Sequence, residues 1–193
     1  MPLKILVTGG AGFLGTSLCE ALLDEGHEVL ALDSLFRGSL ANIEHLMPHP
    51  AFQFQNDDVR NVEALDACVE SLGGLDLVYH LAAINGTKWF HEAAHSVIDV
   101  NINGTLRTLE LAMANDARYV LASSPEAFGD AEVQPIQNGN PMQFSDPQQH
   151  QRHSYGASKY LDEVAAQHAA REGLDVRIVR PFNAYGPRLN GGD

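Results

Sequence analysis

Apolar and polar positions along the chain alternate between two periods. Short β-branched or leucine-rich runs occur at 3–7, 28–32, 51–56, 75–80, 117–123 and 174–180, each of strand length. Between them lie longer stretches in which apolar residues recur every three or four positions, at 16–25, 61–71, 93–115 and 154–172. The first pattern predicts strands and the second helices. Their alternation predicts an α/β fold, a parallel sheet with helices on both faces. In such sheets ligands bind beyond the carboxyl ends of the strands. One segment, about 129–153, keeps neither period and is rich in Gln, Pro, Asn and Asp. It is too long for an ordinary connection, so it reads as a functional or disordered loop.

The connection after the first strand is unlike the others. Leu3-Lys4-Ile5-Leu6-Val7 runs directly into Thr8-Gly9-Gly10-Ala11-Gly12-Phe13-Leu14-Gly15 and then into the first helix. Strand, glycine turn and helix together are the context in which a dinucleotide-binding fingerprint has meaning. Glycines let the backbone approach a pyrophosphate, and the helix N-terminus offers free N–H groups and the positive end of its dipole. The second strand ends at Asp33, about 20 residues past the glycines, where a carboxylate accepts from ribose hydroxyls. It also repels a 2′-phosphate, which favours NAD over NADP, although Arg37 lies close in sequence. The alternative reading of Asp33 is a solvated strand-end residue.

Composition narrows the class. With 193 residues, 45% of them hydrophobic, the chain suffices for a single core, and residues 1–193 read as one domain. No apolar run reaches membrane-spanning length, and no charged-then-apolar leader precedes the first strand. Cys19 and Cys68 are far apart and form no CxxC pair, so the expected compartment is a reducing cytoplasm. A net charge of −13 argues against nucleic acid and anionic membranes as partners.

Candidate chemistry gathers late in the chain. Tyr155 and Lys159 are four residues apart, so on a helix they share a face. An ammonium beside a phenol favours the phenolate, which can exchange a proton with a substrate hydroxyl. Ser124 closes the fifth strand at the ligand edge and can bond the same substrate oxygen. Its bland reading is a capping serine. Glu126 is a candidate acid/base group whose bland reading is a solvated loop carboxylate. His91-Glu92-Ala93-Ala94-His95 matches a zinc-protease pattern but has no third ligand at suitable spacing, so no metal is expected. His150 and His153 read as solvated.

Taken together, Thr8 to Gly15, Asp58-Val59, His80-Leu81-Ala82-Ala83, Asn101-Ile102-Asn103-Gly104-Thr105, Ser123-Ser124, Tyr155 to Lys159 and Arg180-Pro181-Phe182-Asn183-Ala184-Tyr185-Gly186-Pro187 resemble the extended short-chain dehydrogenase/reductase family, in its order and spacing. That family includes nucleotide-sugar epimerases, dehydratases and decarboxylases. The resemblance implies a Rossmann-like doubly wound sheet and NAD as a recycled cofactor. It implies that Gly9, Gly12 and Gly15, with the Phe13 and Leu14 backbone, hold the pyrophosphate, Asp33 the ribose, and Asp58 with Val59 the adenine. Leu81, Ala82 and Ala83 line the cofactor path with Asn101 nearby, Lys159 holds the nicotinamide ribose, and Pro181 approaches the nicotinamide. Ser124 and Tyr155 are the implied catalytic pair, and Asn183 meets a substrate phosphate.

The implied reaction acts on a nucleotide-sugar through a transient ketone. Glu126 stands where eliminating or decarboxylating members carry a Glu. Pro125 replaces a polar residue that in dehydratases resembles the general acid. The resemblance also implies a homodimer through the helices around 93–115 and 154–172, with Leu106, Leu109, Leu161 and Val164 as candidates. Family members continue well beyond the Arg-Pro-Phe-Asn motif, so the substrate region reads as truncated and 187–193 as a cut end. Two classes stay open: a nucleotide-sugar enzyme, or a cofactor-binding module without turnover.

Overall fold

The structure is a computed structural model that describes residues 1–148 and 153–189. Six parallel strands form one sheet: β1 (Lys4–Thr8), β2 (Glu28–Leu32), β3 (Phe52–Gln55), β4 (Leu77–His80), β5 (Arg118–Ala122) and β6 (Val176–Val179), in the order β3-β2-β1-β4-β5-β6. The chain builds outward from β1 to β3, then crosses back to β4. The order therefore reverses between β1 and β4, where a crevice opens at the carboxyl ends of the strands.

Side-chain alternation in the strands divides the core in two. Ile5 and Val7 of β1 join Val29, Ala31 and Phe52 on one face, under α1 (Phe13–Asp24) and α2 (Leu40–Ile43). Leu6 joins Leu30, Leu32, Val78, Tyr119 and Leu121 on the other, under α3 (Val62–Leu72), α5 (Ala94–Ala114) and α6 (His153–Arg171). Each such side chain removed from water contributes about 1.5–3 kcal/mol. Both faces are covered, which is why the central strands read as nearly continuous apolar runs.

The predicted doubly wound sheet is present, with all six strands near their expected places. Three short elements were not legible: α2, α4 (Thr87–Glu92) and a 3-10 turn at Pro125–Phe128. The first helix starts three residues before the expected Thr16, because the turn after Gly12 is already helical. The long helix expected over 93–115 is α5, within a residue at each end, and α4 precedes it unexpectedly. Ala93 adopts φ −140°, ψ 37°, ending α4 and beginning α5. The break separates His91 from His95, so the zinc-protease pattern does not present two imidazoles on one continuous helix. Among the described residues no group of three metal-ligating side chains occurs. The polar segment is irregular over its described part, pinned by a bridge between Gly129 and Gln143.

Candidate functional site

The crevice at the strand-order reversal is a cleft of about 810 Å³. Its floor is the glycine turn. Gly9 has φ +71°, and a Cβ there would lie 2.9 Å from the Ala82 backbone nitrogen; a Cβ on Gly15 would lie 2.0 Å from the Gly9 carbonyl oxygen. No larger residue fits either place without moving the backbone. The turn therefore folds tightly into α1 and points the start of that helix into the cleft.

Asp33 sits at the end of β2, on the cleft wall. It is not the solvated residue of the bland reading: it is 8% exposed. Its carboxylate accepts from the Ala11 N–H at 3.0 Å and the Leu35 N–H at 2.8 Å. Burial raises its pKa, and the two backbone N–H groups oppose that rise. Asp33 thus braces the glycine turn while keeping lone pairs for a diol. Asp58 is held by Arg60, whose Nε and Nη2 reach its two oxygens at 2.8 and 2.6 Å. These charge-assisted bonds hold the Asp58 carboxyl below its usual range. Arg60 also bonds Asp99 of α5, tying the cleft wall to that helix.

The other wall carries the candidate chemistry. Ser124, Glu126, Tyr155 and Lys159 all line the same cleft as the glycine turn, as do Pro181 and Asn183. Ser124 does act as a cap: its Oγ accepts from the Glu126 N–H at 3.2 Å at the start of the 3-10 turn. Capping and exposure to the cleft coexist in one hydroxyl. Glu126 is exposed at the cleft edge. The Tyr155 ring stacks on Phe90 of α4, centroids 5.1 Å apart and planes 15° from parallel. Gly156 explains the closeness of the two segments, because a Cβ there would meet the Glu126 carbonyl at 2.6 Å. The sequence signal for this was present, a glycine inside a helix beside a candidate phenol, but only the packing shows what it serves.

Lys159 is 1% exposed, and its Nζ lies 3.1 Å from an Asp162 oxygen. The contact is ionic but poorly aligned, and among the described residues the ammonium has no full hydrogen bond. A buried ammonium at the edge of a cleft, with donors to spare, suits a hydroxyl-rich ligand. Together with a turn that excludes any Cβ and an enclosed carboxylate, these residues fit a dinucleotide cofactor.

Two expectations are corrected. Asn101 does not line the cleft. It is fully buried, its Oδ1 accepting from the Ile84 N–H at 2.8 Å and its Nδ2 donating to Ser158 Oγ at 3.0 Å. It braces the loop after β4 against α6, a need of the buried amide that sequence spacing does not reveal. His153 is not solvated, since its Nε2 lies 2.9 Å from Ser145 Oγ and 3.4 Å from an Asp130 oxygen. His150 lies outside the described residues.

Comparison with known proteins agrees with this geometry. The chain is 37% identical to a UDP-glucuronic acid decarboxylase of Xenopus tropicalis over 196 aligned residues, covering 98% of this chain and 43% of that protein. It is 33% identical to a UDP-N-acetyl-alpha-D-glucosaminuronate decarboxylase of Bacillus cytotoxicus, covering 100% and 58%. A dTDP-glucose 4,6-dehydratase variant of Streptomyces venezuelae, crystallised with NAD, superposes with a TM-score of 0.85 at 30% identity, covering 98% of this chain and 58% of that one. The chain spans about half the length of the relatives it matches. Residues 5–193 fit the NAD dependent epimerase/dehydratase family, and the chain belongs to it.

Proposed function

We propose that the chain is the NAD-binding portion of a nucleotide-sugar decarboxylase acting on a UDP-linked uronic sugar. The observation that carries this reading is that Ser124, Glu126 and Tyr155 line one cleft with the glycine turn. The similarity to two uronic-sugar decarboxylases supports the substrate class. Bound NAD supplies a hydride acceptor that returns the hydride at the end of the cycle.

The protein side of the cycle is set by the side chains. Tyr155 takes the proton from the sugar 4-hydroxyl as that carbon is oxidised, and Ser124 holds the same oxygen. The resulting ketone lies β to the C5 carboxylate. Carbon dioxide leaves with the bonding electrons passing into the C4 carbonyl, giving an enolate. Glu126, exposed in the cleft, relays a proton from water to C5. Tyr155 returns its proton to the C4 oxygen when the ketone is reduced. Gly9, Gly12, Phe13, Leu14 and Gly15 hold the cofactor diphosphate, Asp33 the adenosine ribose and Asp58 with Val59 the adenine. Leu81, Ala82, Ala83 and Pro181 wall the nicotinamide side, Lys159 reaches the second ribose, and Asn183 meets the substrate phosphate.

The test uses the full-length protein that contains this chain, incubated with UDP-glucuronic acid and with UDP-, dTDP- and GDP-hexoses, with products read by NMR. The expected product is a UDP-pentose with release of carbon dioxide. Tyr155→Phe lowers kcat by about 10²–10⁴-fold while NAD affinity changes little. Bound NAD with every sugar returned unchanged overturns the enzyme reading. It favours the alternative of a cofactor module without turnover, which the half-length coverage of the relatives keeps open.

The same proposal includes a homodimer. Ile98, Leu106 and Met113 of α5 and Leu161 and Val164 of α6 are exposed apolar side chains. A second copy of this two-helix face is the proposed occupant, giving a four-helix contact. Leu109, also a candidate, belongs to the core instead. Light scattering is expected to report a dimer, and Leu161→Asp a monomer.

A further inference from the structure

We infer that Asp162 is a positioning residue, the buried counter-ion that keeps the Lys159 ammonium charged beside the cleft. The inference concerns a step that precedes ligand binding, and its meaning for cofactor capture rests on the proposed NAD site.

Lys159 and Asp162 lie one helical turn apart on α6, with side-chain exposures of 1% and 0%. An ammonium removed from water costs several kcal/mol unless an opposite charge accompanies it. The surroundings offer few candidates for that charge. From β4 comes His80, whose pKa burial pushes down to about 3, so its ring is neutral. From α5 come the hydroxyls of Thr105 and Thr108, and from β5 the Tyr119 phenol, its pKa raised by burial and its OH 2.8 Å from Thr108 Oγ1. Glu163, next on α6, is already engaged: it bonds Ser123 Oγ and the Nε and Nη2 of Arg180. Among the described residues Asp162 is the anion left for Lys159. Burial raises its pKa, and the neighbouring ammonium is the strongest opposing influence.

The contact is loose in a way that suits its role. Among the described residues the Lys159 Nζ has no well-aligned hydrogen bond, and the Asp162 carboxyl is influenced by Lys159 and the Thr105 hydroxyl without a well-aligned bond to either. The ammonium can therefore donate to a hydroxylated ligand entering the cleft without abandoning its counter-ion. Asp162 thus acts on the cleft through the lysine.

The chain contains only Lys4, Lys88 and Lys159 as lysines, so lysine labelled with carbon-13 at Cε gives three resonances. Lys4→Arg and Lys88→Arg assign them. In Asp162→Asn, the Lys159 resonance is expected to lose its proton at a pH at least one unit lower than in the parent chain, and Asp162→Glu restores it. NAD affinity by calorimetry falls in Asp162→Asn as pH passes the variant's Lys159 midpoint, at a lower pH than in the parent chain, and by tenfold for each unit of that difference once both midpoints are passed. If Asp162→Asn does not fold, adding Lys159→Met removes the orphaned charge and restores the cooperative melt. An unchanged Lys159 titration in folded Asp162→Asn overturns the inference. So does an unfolded Asp162→Asn that Lys159→Met fails to rescue. A parent chain that gives no heat with NAD sinks the cofactor reading instead and leaves the lysine titration to stand on its own.

Discussion

β1 and β6 belong to one parallel sheet, yet β1 buries every position after its first residue while β6 alternates half-buried with exposed ones. β1 has a hydrogen-bonded neighbour on each side and helices over both faces. Among the described residues β6 pairs with β5 alone and stands at the edge. The difference extends to the segment after each strand. After β1 comes a turn so tightly packed that no side chain fits at Gly15. After β6 come Phe182 and Tyr185, 65% and 92% exposed. The glycine-turn half of the cleft is closed by this chain's own packing. The opposite half includes Pro181, Phe182 and Asn183, which follow the edge strand.

The sharpest way to test that contrast is at Gly15. An alanine there meets the Gly9 carbonyl at 2.0 Å, so the turn must open. Forcing the extra carbon in costs roughly 1–3 kcal/mol. NAD affinity is expected to drop more than 100-fold in Gly15→Ala, measured by calorimetry. The parent 193-residue chain is expected to bind NAD and to bind UDP-sugars only weakly. Micromolar UDP-sugar affinity in this chain breaks the comparison, because it requires a sugar site already complete without more than the residues described.

The same contrast explains how far the sequence carries. Strand runs at β1, β2 and β4 are legible because both faces are buried and the apolar pattern is continuous. The glycine turn and the Asp33 position come from local chemistry, since turn, helix start and strand end are consecutive in the chain. The hidden features depend on distant partners. The short helix α4 before Ala93 leaves no periodic signature, because six residues are too few to repeat an apolar face. Asn101 reads as a cofactor neighbour in the sequence, and only tertiary contact with Ile84 and Ser158 shows it as a brace. Asp162 carries no sequence signal at all. Beside Glu163 it looks like half of a solvated acidic pair, whereas the fold gives one carboxylate to Arg180 and the other to Lys159.

A second test probes the closed half through pH. His80 is fully buried, with Nδ1 2.8 Å from Thr8 Oγ1 and Nε2 3.1 Å from Thr105 Oγ1. Thr8 Oγ1 in turn accepts from the Ala82 N–H at 3.2 Å, so the ring ties β1 to the loop lining the cleft. Burial and the nearby Lys159 charge push its pKa from 6.5 to about 3. Between those values the unfolded chain binds a proton that the folded chain refuses. Stability from His80 is therefore full above pH 7 and falls by about 1.4 kcal/mol per pH unit through that window as pH drops. Asp33 and Asp162, whose pKa values are raised, contribute with the opposite sign. Subtracting the unfolding free energies of His80→Gln from those of the parent cancels them to first order. The difference is expected to be flat above pH 7 and sloped below pH 6. A difference independent of pH from 4 to 8 refutes a buried neutral ring.

The smallest effect comes from matched truncations of one residue type. Val7 of β1 is fully buried, and Val179 of β6 is 45% exposed. Both are strand valines whose backbone bonds an alanine keeps; the Val179 carbonyl, for instance, still accepts from Ser123 N–H. What remains is the side chain alone. Val7→Ala removes two methyl groups from a packed interior and leaves a cavity, costing about 2 kcal/mol or more. Val179→Ala removes the same groups where water already reaches them, and its cost stays below about 1 kcal/mol. Urea unfolding of the two variants measures both. Equal costs mean that β6 is as enclosed in solution as β1, and the contrast between the glycine-turn half of the cleft and the half that follows the edge strand fails with it.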